Sequence, residues 1–300
     1  MISNLIKLKT MIKRRDFIIN SGLALGALAI IPSIAFSAKP KNIGLQLYTL
    51  REEFSKNVKG VLEYVAKTGY KEVETYGFSS EKGFFGTSAK DFKKILSDNG
   101  LKAPSGHYDF NSFIRDNNAD FLKASIECAN ELGSEYITVP WLDEKLRNNL
   151  DDYKRIAQKI NEAAVLCRKS GLKLGYHNHD FEFTKFGNQT GYDILLQETD
   201  KKLVDFELDL YWAVRSGNDP VQLFKNNPGR FTMWHVKDMD KSKADWNTEV
   251  GEGSINFKAI FAEAKLSGMK HFFVEQETNY SPNQMESVKT SWDFVSKNLI

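Results

Sequence analysis

Residues 152–183, DYKRIAQKINEAAVLCRKSGLKLGYHNHDFEF, hold one full turn of the fold's repeating unit. The first half carries apolar residues at three- and four-residue spacing, the mark of a helix with one buried face. Gly171 follows at the place where a helix ends in the left-handed region. Lys173–His177 then reads as a short strand. Polar side chains crowd its far end: His177, Asn178, His179 and Glu182.

The same unit recurs along the chain. Gly69, Gly100, Gly133, Gly171, Gly229 and Gly268 each close a helical stretch before a strand. They lie 31 to 39 residues apart, except for one interval of 58 that holds two units. The strands read as Ile43–Tyr48, Glu72–Tyr76, Lys102–Ser105, Tyr136–Val139, Lys173–His177, Leu203–Asp209, Phe231–Val236 and His271–Glu275. Near-continuous apolar runs such as YITV and FFV suit parallel strands covered on both faces. Eight strand–helix units in about 260 residues predict an α/β fold, a (β/α)8 TIM barrel in one domain over residues 38–300. An open doubly wound sheet shares the alternation, but no GxGxxG follows the first strand.

Residues 1–37 read as an address. Lys13, Arg14 and Arg15 precede an apolar stretch from Phe17 to Ala35, and Ala35 and Ser37 suit the small-residue cleavage positions. The paired Arg14–Arg15 resembles a twin-arginine signal. The expectation is a mature chain of about Ala38 to Ile300, exported to the periplasm and touching the membrane only in transit. The whole chain has 41 basic and 39 acidic side chains, a formal charge of +2. Setting aside the five bases and one acid of residues 1–37 leaves about −2. A nucleic-acid partner is not expected, because phosphates call for a cationic face. Cys128 and Cys167 both sit in helical stretches and read as small buried apolar residues, though one bridge between them stays open. A homo-oligomer is compatible with the sequence.

In a barrel of this kind the C-terminal strand ends converge on one pocket. Here they bring Gln46 and Tyr48, His107, Trp141, His177 and His179 with Glu182, Asp209 and Trp212, His235 and Lys237, and Glu275 with Glu277. Glu74, inside the second strand, reads instead as a salt-bridge partner near the rim. His177, Asp209, His235 and Glu275 end four consecutive strands, and this mixed imidazole–carboxylate set suits Mn²⁺, Co²⁺, Zn²⁺ or Ni²⁺. One divalent metal is expected there.

The segments IGLQLYTLRE, LGYHNHDFEF, FELDLYWAVRSG, WHVKDMD, GEGSINF and FFVEQE resemble the xylose isomerase-like TIM-barrel superfamily. Sugar isomerases and epimerases, inosose dehydratase and the endonuclease-IV type of AP endonuclease belong to it. The resemblance implies a divalent ion held at strand ends five to eight, which fall on His177, Asp209, His235 and Glu275. Two departures stand out. His177 replaces a glutamate that sugar epimerases use both as ligand and as acid/base. Trp212 replaces the histidine of the Asp-x-x-His pattern, which removes a group used by the multi-zinc endonucleases.

The expected chemistry is isomerase- or epimerase-like: proton abstraction next to the carbonyl of an unphosphorylated sugar, with the ion as Lewis acid. Glu275, Glu182 or Glu277 would move the proton, and Glu182 is alternatively a ligand. His179 and Lys237 would donate to the developing oxyanion. Gln46, Tyr48, His107, Trp141 and Trp212 would bind the small carbohydrate, the two tryptophans either facing a sugar ring or packing the rim. Two alternatives use the same residues: a 3-keto-glycoside lyase or hydrolase, and a non-catalytic sugar-binding barrel.

Overall fold

The computed structural model describes residues 42–300; the export signal expected over 1–37 lies outside them. Eight parallel strands form the centre: β1 (Gly44–Gln46), β2 (Glu72–Thr75), β3 (Lys102–Gly106), β4 (Tyr136–Val139), β5 (Lys173–His177), β6 (Val204–Asp209), β7 (Met233–Val236) and β8 (His271–Val274). They pair in the order β3-β2-β1-β8-β7-β6-β5-β4. At the seam, β3 and β4 meet through a parallel bridge between His107 and Thr138. Backbone bonds from Glu135 N to Pro104 O (2.8 Å) and from Tyr108 N to Thr138 O (3.0 Å) join them further. The result is a nearly closed TIM barrel.

Eight helices cover its outside: α1 (Val58–Thr68), α2 (Ala89–Asp98), α3 (Asp120–Leu132), α4 (Leu150–Lys169), α5 (Gly191–Glu198), α6 (Pro220–Asn226), α7 (Phe257–Ala262) and α8 (Gln284–Asn298). α4 shows why the sequence folds this way. Asn149 accepts a hydrogen bond from the Asp152 amide, Asp151 and Asp152 occupy the first turn, and Arg168 and Lys169 the last. Both charge placements oppose the helix dipole. Tyr153, Ile156, Ala157, Ile160, Ala163, Ala164 and Cys167 form the buried stripe. Gly171 then turns the chain with φ +82°, a conformation that costs a side chain with a Cβ.

Seven strand boundaries differ from the sequence reading by one or two residues. β1 stops at Gln46, because the Gln46 side chain accepts from the Tyr48 amide and starts a 3₁₀ turn over Leu47–Leu50. β7 begins at Met233, two residues later than expected, and β8 ends at Val274. The double-length interval contains α5, which ends at Thr199 instead of a glycine; the Thr199 hydroxyl donates to the Leu195 carbonyl. Cys128 and Cys167 are free and buried. Among the described residues no helix is long and apolar enough to cross a membrane.

Side chains alternate in and out along each strand. Outward residues join the large core between strands and helices, while Tyr136, Met233 and Phe273 form a separate apolar cluster inside the barrel. Below that disc, Glu72 pairs with His271 (2.8 Å) and Asp205 with Lys173 (2.7 Å). Above it the interior is polar. On β6 the inward positions are Asp205, Glu207 and Asp209, one acid in each successive layer.

Candidate active site at the C-terminal mouth of the barrel

Strand register decides which side chains meet. Gln46 lies beside Glu74 and Glu74 beside Ser105; His177 lies beside Glu207, and Asp209 beside His235. These neighbours form two tiers separated by imidazole rings.

The inner tier centres on Glu74 and Glu207, both without solvent exposure. Gln46 Nε2 donates to Glu74 Oε2 (2.6 Å), and Ser105 Oγ donates to Oε1 (2.6 Å). His107 Nε2 lies 2.9 Å from Glu207 Oε2 and 3.0 Å from Glu74 Oε2. His235 Nε2 lies 2.7 Å from Glu74 Oε2 and 3.2 Å from Glu207 Oε2. His177 Nδ1 is 3.3 Å from the same Glu207 oxygen.

The outer tier uses the opposite nitrogens. His235 Nδ1 is 2.8 Å from Glu275 Oε2 and 4.0 Å from Asp209 Oδ2, and His177 Nε2 is 4.0 Å from Asp209 Oδ2. Lys237 Nζ sits among three carboxylates: Asp209 (3.1 Å), Glu275 (2.8 Å) and Glu277 (2.7 Å). Asp209 also caps the short helix Leu210–Arg215, taking the Trp212 amide on Oδ1 (3.1 Å). The carboxylate is thus both an N-cap and a member of the site.

Charge and burial set the protonation. Burial pushes Asp209 up to about 6, although Lys237 and His235 oppose it. Burial pushes Glu275 in the same direction, but Lys237 and His235 overcome it and hold the carboxyl well below its usual range. Burial works against charge on Lys237 too, yet Asp209, Glu275 and Glu277 keep it a firm ammonium. For His107, burial is outweighed by Glu74 and Glu207, which lift it to about 9. His177 is lowered by burial and by the positive field of His235 and His179.

A cavity of about 560 Å³ opens above the tiers. Of the residues expected from sequence, Tyr48, His107, Trp141, His177, His179, Trp212, Glu275 and Glu277 line it. Trp141 and Tyr48 stand 44% and 40% exposed at its edge, as a wall awaiting an apolar face would. His179 stacks on Phe181 (5.6 Å) and meets the edge of Trp141 (4.8 Å). Gln46, Asp209, His235 and Lys237 lie beneath the wall. Gln46 is occupied by Glu74 and by the Tyr48 amide, which makes it a support for the floor.

Glu182 stands apart from both tiers. It accepts from Tyr176 OH (2.7 Å) and from the His179 amide (2.8 Å). Burial outweighs those bonds and pushes its carboxyl up to about 7. These contacts make it the brace of the His177–His179 turn.

Two residues escaped the sequence reading. Glu74 is at the centre of the barrel, not at its rim, because β2 alternates Glu72 inward below the disc and Glu74 inward above it. Glu207 lies inside a strand and not at its end; its signal in the sequence is the period-two run of acids in VDFELD. An acid inside an apolar strand must face a polar partner, since its burial is otherwise costly.

The donor set fits a divalent transition metal. His107, His177, Glu207 and His235 form one group whose ligand atoms lie within 4.8 Å of one another, and Asp209, His235 and Glu275 form another. His177 Nδ1 and Glu207 Oε1 are buried without a hydrogen-bond partner, as donors waiting for a cation are.

The chain is 28% identical over 138 residues to the inosose dehydratase of Clostridium perfringens, covering 41% of this chain and 46% of that protein. It therefore spans about half the length of that relative. A crystal structure of a sugar phosphate isomerase/epimerase from Parabacteroides distasonis superposes with a TM-score of 0.75 at 29% identity, over 90% of this chain and 99% of that one. The structure of the IOLI protein with a binding zinc atom shares the fold at 18% identity and a TM-score of 0.68, over 85% of this chain and 97% of that one. The sequence profile of the xylose isomerase-like TIM barrel matches residues 62–297, and the chain belongs to that family.

Proposed function

We propose that this chain is a divalent-metal-dependent enzyme that removes a proton from the carbon next to the carbonyl of an unphosphorylated keto-sugar. One observation carries the reading. Glu275 is a buried carboxylate on the cavity wall, and the Lys237 ammonium lies 2.8 Å from one of its oxygens. A base and a fixed positive charge thus face one point in a water-poor site.

His235 belongs to both ligand groups, joined by Asp209 and Glu275 on the outer side and by His107, His177 and Glu207 on the inner. When bound, the ion supplies Lewis acidity to adjacent sugar oxygens. The protein does the rest. Glu275 takes the proton from carbon, and the C–H electrons move into the carbonyl to give an enediolate. His179, whose ring faces the cavity, supplies a hydrogen bond to the oxygen that gains charge, and the Lys237 ammonium beneath the wall adds its positive field. Glu277, paired with Lys237, is placed to return a proton. Tyr48, Trp141 and Trp212 offer faces to the sugar, and His107 reaches a hydroxyl.

The wall composition supports a neutral substrate. Among the described residues lining the cavity there is no lysine or arginine, while Asp109, Asp180, Glu275 and Glu277 are present. Such a lining offers no ammonium or guanidinium to clamp a phosphate. Return of the proton to the opposite face gives an epimer. Loss of a β-substituent gives elimination, a second reading supported by the similarity to inosose dehydratase. A 3-keto-glycoside losing its aglycone is the form of elimination that suits the exposed aromatic edge. Residues 1–37 support export, and Arg14→Lys with Arg15→Lys would then leave the segment uncleaved.

Incubation with Mn²⁺, Co²⁺ or Zn²⁺ and a panel of keto-sugars and 3-keto-glycosides in D2O tests the chemistry. The expected result is deuterium at the carbon next to the carbonyl, with aglycone release marking elimination. Glu275→Gln is expected to slow exchange by about 10²–10⁴-fold. No exchange with any metal and sugar would overturn the reading.

A further inference from the structure

The two rings shared by the tiers present different nitrogens to each. A neutral imidazole has one bare nitrogen, so His177 and His235 can ligate an ion on one side and donate an N–H on the other. The contacts favour the inner side. Three imidazole nitrogens converge on one oxygen, Glu207 Oε2, at 2.9 Å (His107), 3.2 Å (His235) and 3.3 Å (His177). These three distances are close to the roughly 3.3 Å donor spacing of a tetrahedral site with bonds near 2.0 Å, and all four ligand atoms lie within 4.8 Å of one another. Hydrogen bonding accounts for only part of the cluster: His107 pairs with Glu207 and His235 with Glu74 and Glu275, while His177 Nδ1 and Glu207 Oε1 are buried without a hydrogen bond.

Charge points the same way. The outer carboxylates Asp209, Glu275 and Glu277 already surround a fixed cation, Lys237. A dication on the outer side would sit against that ammonium. The ion pairs of Glu74 and Glu207, by contrast, are with imidazoles alone. Two buried carboxylates and a dication balance. His107 and His177 also line the cavity, so a substrate oxygen can reach the open side of an ion they hold.

We propose that the metal occupies an inner three-histidine site made by His107 Nε2, His177 Nδ1, His235 Nε2 and Glu207, while Lys237 serves as the permanent cation of the outer tier. Glu74 lies alongside, pinned by Gln46 and Ser105. The proposal rests on the metal-dependent reading above and relocates the ion within it. Asp209 and Glu275 are then free of the metal, and Glu275 is available as a base.

The test is metal binding by the full chain, with Co²⁺ or Zn²⁺ alone as the probe. Glu207→Gln and His107→Gln are expected to weaken binding by about 100-fold or more, and Asp209→Asn by about threefold or less. Pulsed electron paramagnetic resonance of the Cu²⁺-loaded wild type gives a count that needs no variant. Three coupled imidazoles support the inner site, and two overturn it in favour of the outer one. Retention of the ion by Glu207→Gln with its loss from Asp209→Asn would also overturn the proposal while leaving a metalloenzyme. A wild type that binds no ion would overturn both.

Discussion

Glu182 shows how burial can govern a residue whose partners would favour charge. Its folded carboxyl titrates near 7, against 4.5 for the ordinary group. The folded chain therefore holds a proton that the unfolded chain has lost between those values. Stability from that proton is complete below about pH 4.5 and gone above about pH 7. Glu182→Gln, neutral throughout, should gain on the wild type as pH rises: the difference in Tm should widen by several degrees between pH 5 and 8. A constant difference would show that the carboxyl ionises normally. Trp141 is the opposite case, a large ring left 44% exposed at the cavity. Trp141→Ala should raise KM about three- to tenfold, equivalent to about 0.5–1.5 kcal/mol of ring contact, with Tm unchanged in differential scanning calorimetry.

Asp238, just beyond β7, organises the long segment that follows. Its two carboxylate oxygens accept from the amides of Met239, Gly251, Gly253 and Ile255. This fold-back brings Asn247 to the Glu277 amide (3.0 Å). Asp238→Ala leaves those amides unmatched and should cost about 3 kcal/mol in urea unfolding, with a larger fall in kcat than Asn149→Ala. The latter removes only the α4 cap and should cost about 1 kcal/mol. Elements of both kinds differ in how far the sequence reveals them. α4 and β5 were legible because helix period, glycine stop and apolar strand are all local. The strand ends were legible for the same reason, since His177, Asp209, His235 and Glu275 each sit where a strand stops. Glu74 and Glu207 were not, because their importance depends on which strands become neighbours. Gln46 was legible as a strand-end polar group, but its commitment to Glu74 depends on β1–β2 register.

At the scale of the molecule, the barrel axis alternates polar and apolar layers. The lower polar layer holds the Glu72–His271 pair, with Glu135 3.7 Å from the other His271 nitrogen. Burial opposes charge on His271, but Glu72 raises its pKa from 6.5. Burial likewise opposes ionisation of Glu72, while His271, Asn42 and Lys102 lower its pKa from 4.5. The histidine's contribution is complete below about pH 6.5 and lost as pH rises through its folded value; the glutamate's is complete above about 4.5 and lost on acidification. The penalty of His271→Gln should therefore be largest near pH 5–6 and shrink by pH 9 in thermal melts. Between this layer and the site stands the disc of Tyr136, Met233 and Phe273. Neighbouring glycines let it close: a Cβ on Gly175 would lie 2.7 Å from Met233 Cε, and one on Gly44 2.5 Å from the Phe273 ring. The disc is an insulator between two terminals. His271 and Glu275 lie on opposite sides of it and share no hydrogen-bond or ion-pair partner among the described residues, so His271→Gln and Glu275→Gln should add in stability to within about 0.5 kcal/mol. One end of the shaft can change with the demands of folding while the other answers only to its substrate.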